Sequence, residues 1–353
     1  MKKIFHVAET IKGGVATIIR QLTVNAEEYD IHCLVPDTQV AEIKESNAKL
    51  HTFTRSGRNM SSFASLAKRF VSIYLKERPE IVHIHSSFAG FICRGVLFFL
   101  PGSPKVIYCP HAFSFLMDTS ETKKKLYAII EKILSIKTDK ILCVSHYEYN
   151  EAVKWGMDKN KLTVIYNGVE PPEDIVTAEK NDDGILNVLF VGRLDYQKGF
   201  DIVEKVAEKL EGKCRIVVVG GGVHSNPTLN ESEHIHYAGW VTKKDMAKYY
   251  ADADVLLMPS RWESFGLVAV EAQSYGLPVV ASRCSSIPEV LKEGVTGFLF
   301  DVGDVDEICR ILQIHSKKDF GKMKADAISF YGENFTSQKM VEKTFDLYRD
   351  IMS

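Results

Sequence analysis

Residues 255–271 read Val-Leu-Leu-Met-Pro-Ser-Arg-Trp-Glu-Ser-Phe-Gly-Leu-Val-Ala-Val-Glu. The apolar run 255–258, closed by Pro259, has the length and content of a buried strand. After Gly266 an apolar, glycine-free run reaches Tyr275, and Gly276-Leu277-Pro278 then stops a helix. A strand, a loop and a helix start therefore follow one another, and in an open α/β sheet ligands bind at that place. Gly266 falls at the helix N-terminus, where bare amide groups and the helix dipole favour a phosphate. Glu271 lies five residues further on, roughly 7 Å along the axis. That span suits the reach from a diphosphate to the ribose of the same nucleotide, and a carboxylate there can accept from two ribose hydroxyls. Glu263, on the loop, would face what lies beyond the phosphates, such as a sugar. On spacing alone, an ordinary buried strand–helix unit with two surface glutamates fits equally well.

The rest of the chain sets the frame. Its 353 residues suggest two domains. A quarter of them are charged and 45% hydrophobic, as in soluble globular proteins. There is no run of about 20 apolar residues, so no transmembrane helix is expected. Met1-Lys2-Lys3-Ile4-Phe5-His6-Val7 reads as a first strand and lacks the apolar core of a signal peptide. The seven cysteines are scattered and form no Cys-x-x-Cys pair, which indicates neither a disulfide framework nor a zinc site. A cytoplasmic location is expected. Strands are expected at residues 4–7, 31–35, 50–53, 81–85, 105–109, 140–144 and 162–165, with helical periods between most of them. Val15, Ile18, Ile19 and Leu22 mark one helix face. This is the pattern of a doubly wound, mainly parallel sheet. The second domain opens with a strand near 187–192.

Several candidates follow strand ends. Gly13-Gly14 enters a helix and would let a ligand approach the backbone, or would serve only as a tight turn. His85, His111 and His146 close or follow strands, a place where a histidine is commonly structural. Without a His-x-x-x-His pair on a helix, no metal is expected among them. Arg193 and Lys198 flank a loop after a strand. Two cations there suit a diphosphate, Arg as a fork and Lys as a point charge, although a solvated surface pair would read the same way. Gly220-Gly221-Gly222-Val223-His224-Ser225 is not Gly-x-Gly-x-x-Gly and precedes a polar, proline-containing segment, so a dehydrogenase loses its main support. Asp252-Ala253-Asp254 has the Asp-x-Asp form of a metal-binding motif. It precedes a strand instead of closing one, so a solvated helix end is expected.

Glu-x7-Glu with an internal Phe-Gly, followed by Ala272-x-x-x-Gly276-x-Pro278-Val279-Val280-Ala281, resembles the donor-site signature of the retaining glycosyltransferases of family 4, or group 1. Gly192-Arg193-Leu194-x-x-x-Lys198-Gly199 resembles that family's diphosphate clamp, and Asn167-Gly168-Val169-Glu170 its hinge. The resemblance covers nearly the whole chain. It implies the GT-B fold: two Rossmann-like domains with the active site in the cleft between them. Residues 1–170 would be the acceptor domain, joined by a C-terminal helix 337–353, and residues 171–336 the nucleotide-sugar domain. The boundary falls within 168–184, where the polar stretch 177–184 reads as a linker. By resemblance, Gly14, Val15, Arg193, Lys198, Val241, Glu263, Ser264, Phe265, Gly266, Leu267 and Glu271 contact the donor, and Gly13 and His85 the acceptor. His111 would lie close to the donor sugar and share the catalytic role with Glu263. No cofactor is implied beyond a UDP- or, less favoured, GDP-sugar substrate, and no metal and no nucleic acid.

Charge divides unevenly, +6 over residues 1–170 and −8 over residues 171–353. A basic first domain suggests an anionic partner. Lys123-Lys124-Lys125, with Lys132 and Lys137, shares a stretch of helical period with Leu126, Ile129, Ile130 and Ile133. That helix could rest on an anionic membrane at the inner face of the plasma membrane, or face the core with its lysines solvated. The apolar stretch 95–100 reads as a buried helix, with an added membrane or lipid contact as the other reading. The expected activity is transfer of a hexosyl unit to a saccharide or lipid-linked acceptor in surface polysaccharide, O-antigen or capsule assembly. The alternatives are a sugar-nucleotide epimerase of similar architecture and a non-catalytic sugar-nucleotide-binding protein.

Overall fold

The computed structural model describes residues 1–172, 183–222 and 234–353. Residues 177–182 of the expected linker, and Val223-His224-Ser225 after the glycine run, lie outside the described residues. The chain forms two compact units, Met1–Gly168 with Ser337–Ser353, and Val169–Thr336.

Unit 1 holds seven strands: β1 (Lys2–Ala8), β2 (Tyr29–Pro36), β3 (Lys49–Phe53), β4 (Ile81–His85), β5 (Lys105–Cys109), β6 (Lys140–Cys143) and β7 (Leu162–Val164). Their order is β3-β2-β1-β4-β5-β6-β7, and every neighbouring pair is parallel. The order reverses between β1 and β4, which opens a crevice at their C-terminal ends. Parallel sheets are covered on both faces, so their strands are apolar almost throughout. On one face Val82 and Ile84 of β4 pack with Phe70, Ile73 and Tyr74 of the helix Met60–Glu77. The other face departs from the rule. There His83 and His85 lie with Ile18 and Leu22 of the helix Gly14–Val24 and with Met340 and Thr344 of the helix Ser337–Met352. That last helix buries Met340, Val341, Thr344, Phe345 and Tyr348, a helical stripe. Val15, expected on the buried face of its helix, is only half-buried.

Unit 2 holds β8 (Leu186–Val191), β9 (Cys214–Val219), β10 (Ile235–Gly239), β11 (Val255–Met258), β12 (Val279–Ser282) and β13 (Gly297–Phe300). The order is β10-β9-β8-β11-β12-β13, again all parallel, with the switch between β8 and β11. Val188, Phe190, Ile216, Val218, Val255 and Leu257 pack with Ile202, Val203 and Val206 of the helix Phe200–Lys209. The glycine run after β9 has a packing reason. A Cβ on Gly220, at φ +138, would stand 1.8 Å from the carbonyl oxygen of Gly192.

Three expectations are corrected here. Asp254 is not a solvated helix end. It is buried, its carboxylate accepts the Asn187 N–H at 2.9 Å, and its own N–H donates to Asn187 O at 2.8 Å. It therefore ties the start of β11 to β8, while Asp252 stays exposed at the helix end. The lysine-rich helix, Glu121–Ser135, does not turn its apolar stripe to the core. Ala128, Glu131 and Leu134 are buried, whereas Leu126, Ile129 and Ile133 are 53%, 53% and 54% exposed. The stretch 95–100 is not a buried helix either. The helix Ser87–Leu97 ends there and leaves Phe99 exposed.

Candidate active site

In unit 2 the candidates gather at the C-terminal ends of β8 and β11. β8 delivers Gly192 and Arg193, and β11 delivers the loop 259–266. Arg193 donates from Nε to Asp195 Oδ2 and from Nη2 to Gln197 Oε1, each at 2.7 Å. Asp195 Oδ1 takes the Lys198 N–H at 2.9 Å. One carboxylate thus ties the Arg193 side chain and the Lys198 backbone into one loop. Lys198 Nζ reaches Glu263 Oε1 at 2.5 Å, and Ser260 Oγ donates to the same oxygen at 2.9 Å. Ser285 accepts from the Glu263 N–H and Ser286 donates to its carbonyl. Glu263 is therefore a buried residue whose carboxylate is held by one cation and one serine and whose backbone is held by two more serines, which its place on a loop did not reveal.

Gly266 caps the helix Leu267–Ser274 at φ +95, and a Cβ there would stand 2.7 Å from Ile287 Cδ1. Among the described residues no side chain caps this end, so its first amide groups can face an anion. Glu271, half-buried, accepts from Tyr250 Oη at 3.1 Å, and Tyr250 stacks on Tyr275. Burial first, and then the Glu271 charge, push the Tyr250 phenol well up, so it stays protonated as a donor. Phe265 is core, edge-on to Phe335, so its ring is committed to packing. Ser264 and Leu267 are half-buried. Val241, also half-buried, follows β10 just before Thr242, which caps the helix Lys243–Asp252.

In unit 1, Gly13 stands at φ +60 before the uncapped helix Gly14–Val24, with open space where a Cβ would be. His111 follows β5 at φ +53, and Ser86 follows β4 at φ +76. Such conformations in non-glycine residues store strain and cluster at functional sites. His111 Nε2 meets His85 Nδ1 at 3.1 Å, His85 Nε2 meets His6 Nδ1 at 3.0 Å, and His83 Nδ1 meets Tyr348 Oη at 2.7 Å. Burial lowers all four imidazoles, His6 to about 3, His111 to about 4, and His83 and His85 well below the usual value. They are neutral at neutral pH. Glu148, also buried, accepts the Val144 N–H at 2.8 Å and a backbone bond from Phe113, two residues past His111. Burial pushes its carboxyl up to about 7.

Among the described residues, His6, His83 and His85 form the one group with ligand atoms close enough, within 4.8 Å, to hold a metal. The His83 and His85 rings stack 4.2 Å apart at 28°. Stacked rings direct their in-plane lone pairs side by side, not onto one ion. His6, Ser260, Tyr250, Glu148 and Tyr348 were not singled out from the sequence. The signal for His6 was present, because a histidine inside a strand that should be apolar on both faces needs a polar neighbour.

Residues 12–172 match the sequence model of Glycosyltransferase Family 4, and residues 186–314 that of Glycosyl transferases group 1. Over 357 residues the chain is 42% identical to an uncharacterized 41.2 kDa protein in the cps region of Klebsiella pneumoniae, covering 98% of this chain and 99% of that one. It is 26% identical over 353 residues to the UDP-Gal:alpha-D-GlcNAc-diphosphoundecaprenol alpha-1,3-galactosyltransferase of Escherichia coli, over 92% and 90% of the two chains. The solved structure of Anabaena HepE in complex with UDP and glucose has a TM-score of 0.82 at 17% identity, over 99% of this chain and 100% of that one. That likeness carries the fold, the two Rossmann-like domains of GT-B.

Proposed function

The chain belongs to the group 1 glycosyl transferases of family 4, and from that premise we propose that it moves a hexosyl unit, with retention, from a UDP-sugar to a lipid-linked saccharide. Membership makes it a glycosyltransferase that uses a nucleotide sugar. One observation carries the donor site. Arg193, Lys198, Glu263, Gly266 and Glu271 all come from the C-terminal ends of β8 and β11, the strands that flank the switch point of unit 2.

In this reading the diphosphate lies at the N-terminus of the helix Leu267–Ser274. Arg193 and Lys198 neutralise the charge that grows as the sugar–phosphate bond breaks. Glu271, held by Tyr250, takes the ribose. Glu263 takes donor-sugar hydroxyls and gives up part of its hold on Lys198 to the phosphate. The acceptor hydroxyl attacks the sugar carbon from the face the diphosphate leaves and passes its proton to the departing phosphate oxygen; Gly13, Gly14, Val15 and the neutral His111 are the contacts unit 1 offers for this step. The cations and the helix end handle the phosphates without a metal.

UDP is favoured over GDP because the full-length Escherichia coli relative is a UDP-Gal enzyme. A lipid-linked acceptor and surface polysaccharide assembly are favoured by that relative's diphosphoundecaprenol acceptor and by the cps setting of the Klebsiella one. No helix among the described residues is long and apolar enough to cross a membrane. The exposed Leu126, Ile129 and Ile133 beside Lys123, Lys124 and Lys125 support peripheral work on an anionic surface.

The test is purified protein with UDP-Gal, UDP-Glc, UDP-GlcNAc or GDP-Man and a lipid-diphosphate sugar acceptor. Nucleotide release that requires the acceptor, and a product with the donor's anomeric configuration, are expected. An inverted product would end the retaining assignment. Conversion of the donor without acceptor would return the epimerase.

A further inference from the structure

We infer that His6 and His85 are positioning residues for His111, acting through a one-way chain of hydrogen bonds between imidazoles that fixes which ring nitrogen of His111 carries the proton. This rests on the reading that places His111 beside the sugar. His6 lies on β1, His85 at the end of β4 and His111 just after β5. The parallel register sets His6 beside His83, and Ala8 beside His85. The contacts run His6 Nδ1 to His85 Nε2, then His85 Nδ1 to His111 Nε2.

Each ring is neutral and carries one proton, so each bond needs one donor and one bare nitrogen. Only two arrangements satisfy both bonds. In the outward one, every ring is protonated at Nδ1, and His6 Nε2 is a bare lone pair. In the inward one, every ring is protonated at Nε2, and the His6 N–H at that atom points at nothing. Among the described residues, His6 Nε2 is buried with no hydrogen-bond partner. A buried orphan N–H is the rarer and costlier of the two outcomes, so the blind end of the chain selects the outward arrangement. His111 then spends its Nε2 lone pair on His85 and keeps Nδ1–H as its donor.

That Nδ1 faces Cys109 Sγ at 3.7 Å, a weak acceptor that a sugar oxygen can replace. His111 is thereby set up as a neutral donor, not as a general acid or base. The positive φ of His111 holds the ring over this chain at a strain that a solvated surface histidine would relax. His83 stands aside from the chain, bonded to Tyr348.

The experiment compares three full-length proteins with ring-labelled histidine: wild type, His6→Asn and His6→Leu. Asparagine places an amide N–H where Nδ1–H stood, and leucine fills the same space without a donor. Long-range proton–nitrogen spectra, with the His111 signals identified by their loss in His111→Gln, report the tautomer. Wild type and His6→Asn are expected to show His111 as a single Nδ1–H form that stays neutral from pH 5 to 8. His6→Leu is expected to show mixed tautomers and a kcat lowered roughly tenfold, with KM for the nucleotide sugar unchanged, the scale of one lost hydrogen bond. An Nε2–H or mixed His111 in wild type overturns the inference without any variant needing to fold. So does a His6→Leu protein whose His111 keeps one tautomer. A wild type with the expected tautomer that transfers no sugar would instead overturn the functional reading alone.

Discussion

Lys198 Nζ lies 2.5 Å from Glu263 Oε1, so the cation proposed for the phosphates and the carboxylate proposed for the sugar are each other's partners before any donor arrives. Lys198→Ala would leave the buried Glu263 with Ser260 as its remaining side-chain donor on that oxygen. Unit 2 should lose roughly 1–3 kcal/mol, the range for stranding a buried charged group. Adding Glu263→Gln should return most of that stability and none of the UDP affinity. Equal stability of the single and double variants in denaturant titrations would mean that a stranded Glu263 charge is not what Lys198→Ala costs.

Glu271→Ala should weaken UDP binding by roughly 1.5–3 kcal/mol, the range for hydrogen bonds to a charged group. Tyr250→Phe removes the phenol that donates to Glu271 Oε2 at 3.1 Å, and should cost roughly 0.5–1.5 kcal/mol. Inorganic diphosphate, which has no ribose, should bind both variants as well as wild type. Calorimetry that shows UDP unaffected, or diphosphate weakened equally, would rule out the ribose role.

The sequence offered candidate site residues but not how they hold one another, and the reason is topological. Gly266 and Glu271 sit at the start and in the body of one helix, so their separation can be computed from residue numbers. Strands 81–85 and 105–109 are legible because strands buried on both faces are short apolar runs. Lys198 and Glu263 are 65 residues apart, and His6 and His85 are 79. Their contacts exist because β8 lies beside β11, and β1 beside β4. Those adjacencies come from crossovers between strands that are not consecutive, and local spacing carries no trace of them. The exposed face of the helix Glu121–Ser135 was equally hidden, because an apolar stripe shows that a helix has a face but not what covers it.

Turnover should survive chelation. Arg193, Lys198 and the uncapped helix end supply the positive field, and Asp254 is committed to Asn187. Full loss of activity in EDTA, restored by Mg²⁺ or Mn²⁺, would show that a metal had been missed.

Stability should depend on pH in two opposed ways. His6, His83, His85 and His111 have lowered folded pKa values. The unfolded chain therefore takes up their protons first, and stability falls as pH drops below about 6.5, each contributing a slope of about 1.4 kcal/mol per unit. Glu148 is raised from 4.5 to about 7 by burial, so its contribution is full below 4.5 and is lost as pH rises through 7, a change of about 3 kcal/mol. Glu148→Gln should therefore gain on wild type between pH 4.5 and 7, and His6→Asn should flatten the acid limb. Parallel stability curves for wild type and Glu148→Gln would mean that this carboxyl titrates normally.

The first unit should bind anionic lipid weakly, reversibly and through one helix face. Burial decides which face. The helix Glu121–Ser135 anchors itself with Ala128, Glu131 and Leu134, and Glu131 takes Arg94 at 2.7 Å and Tyr108 at 3.1 Å in the interior. That leaves Leu126, Ile129 and Ile133 in water beside three consecutive lysines. Apolar insertion and charge attraction should add, about 1 kcal/mol for each lysine near the surface, screened by salt. Liposomes with and without anionic lipid separate the two contributions. Lys123, Lys124 and Lys125 changed together to Glu should abolish flotation at low salt. Leu126, Ile129 and Ile133 changed together to Ser should weaken it at every salt concentration, because apolar burial is not screened, and should leave the fold intact because none of the three is in the core. Wild type that never floats, or a serine variant that floats as well as wild type, would remove this face from contact with the membrane. A water-soluble acceptor would then become the better substrate to try.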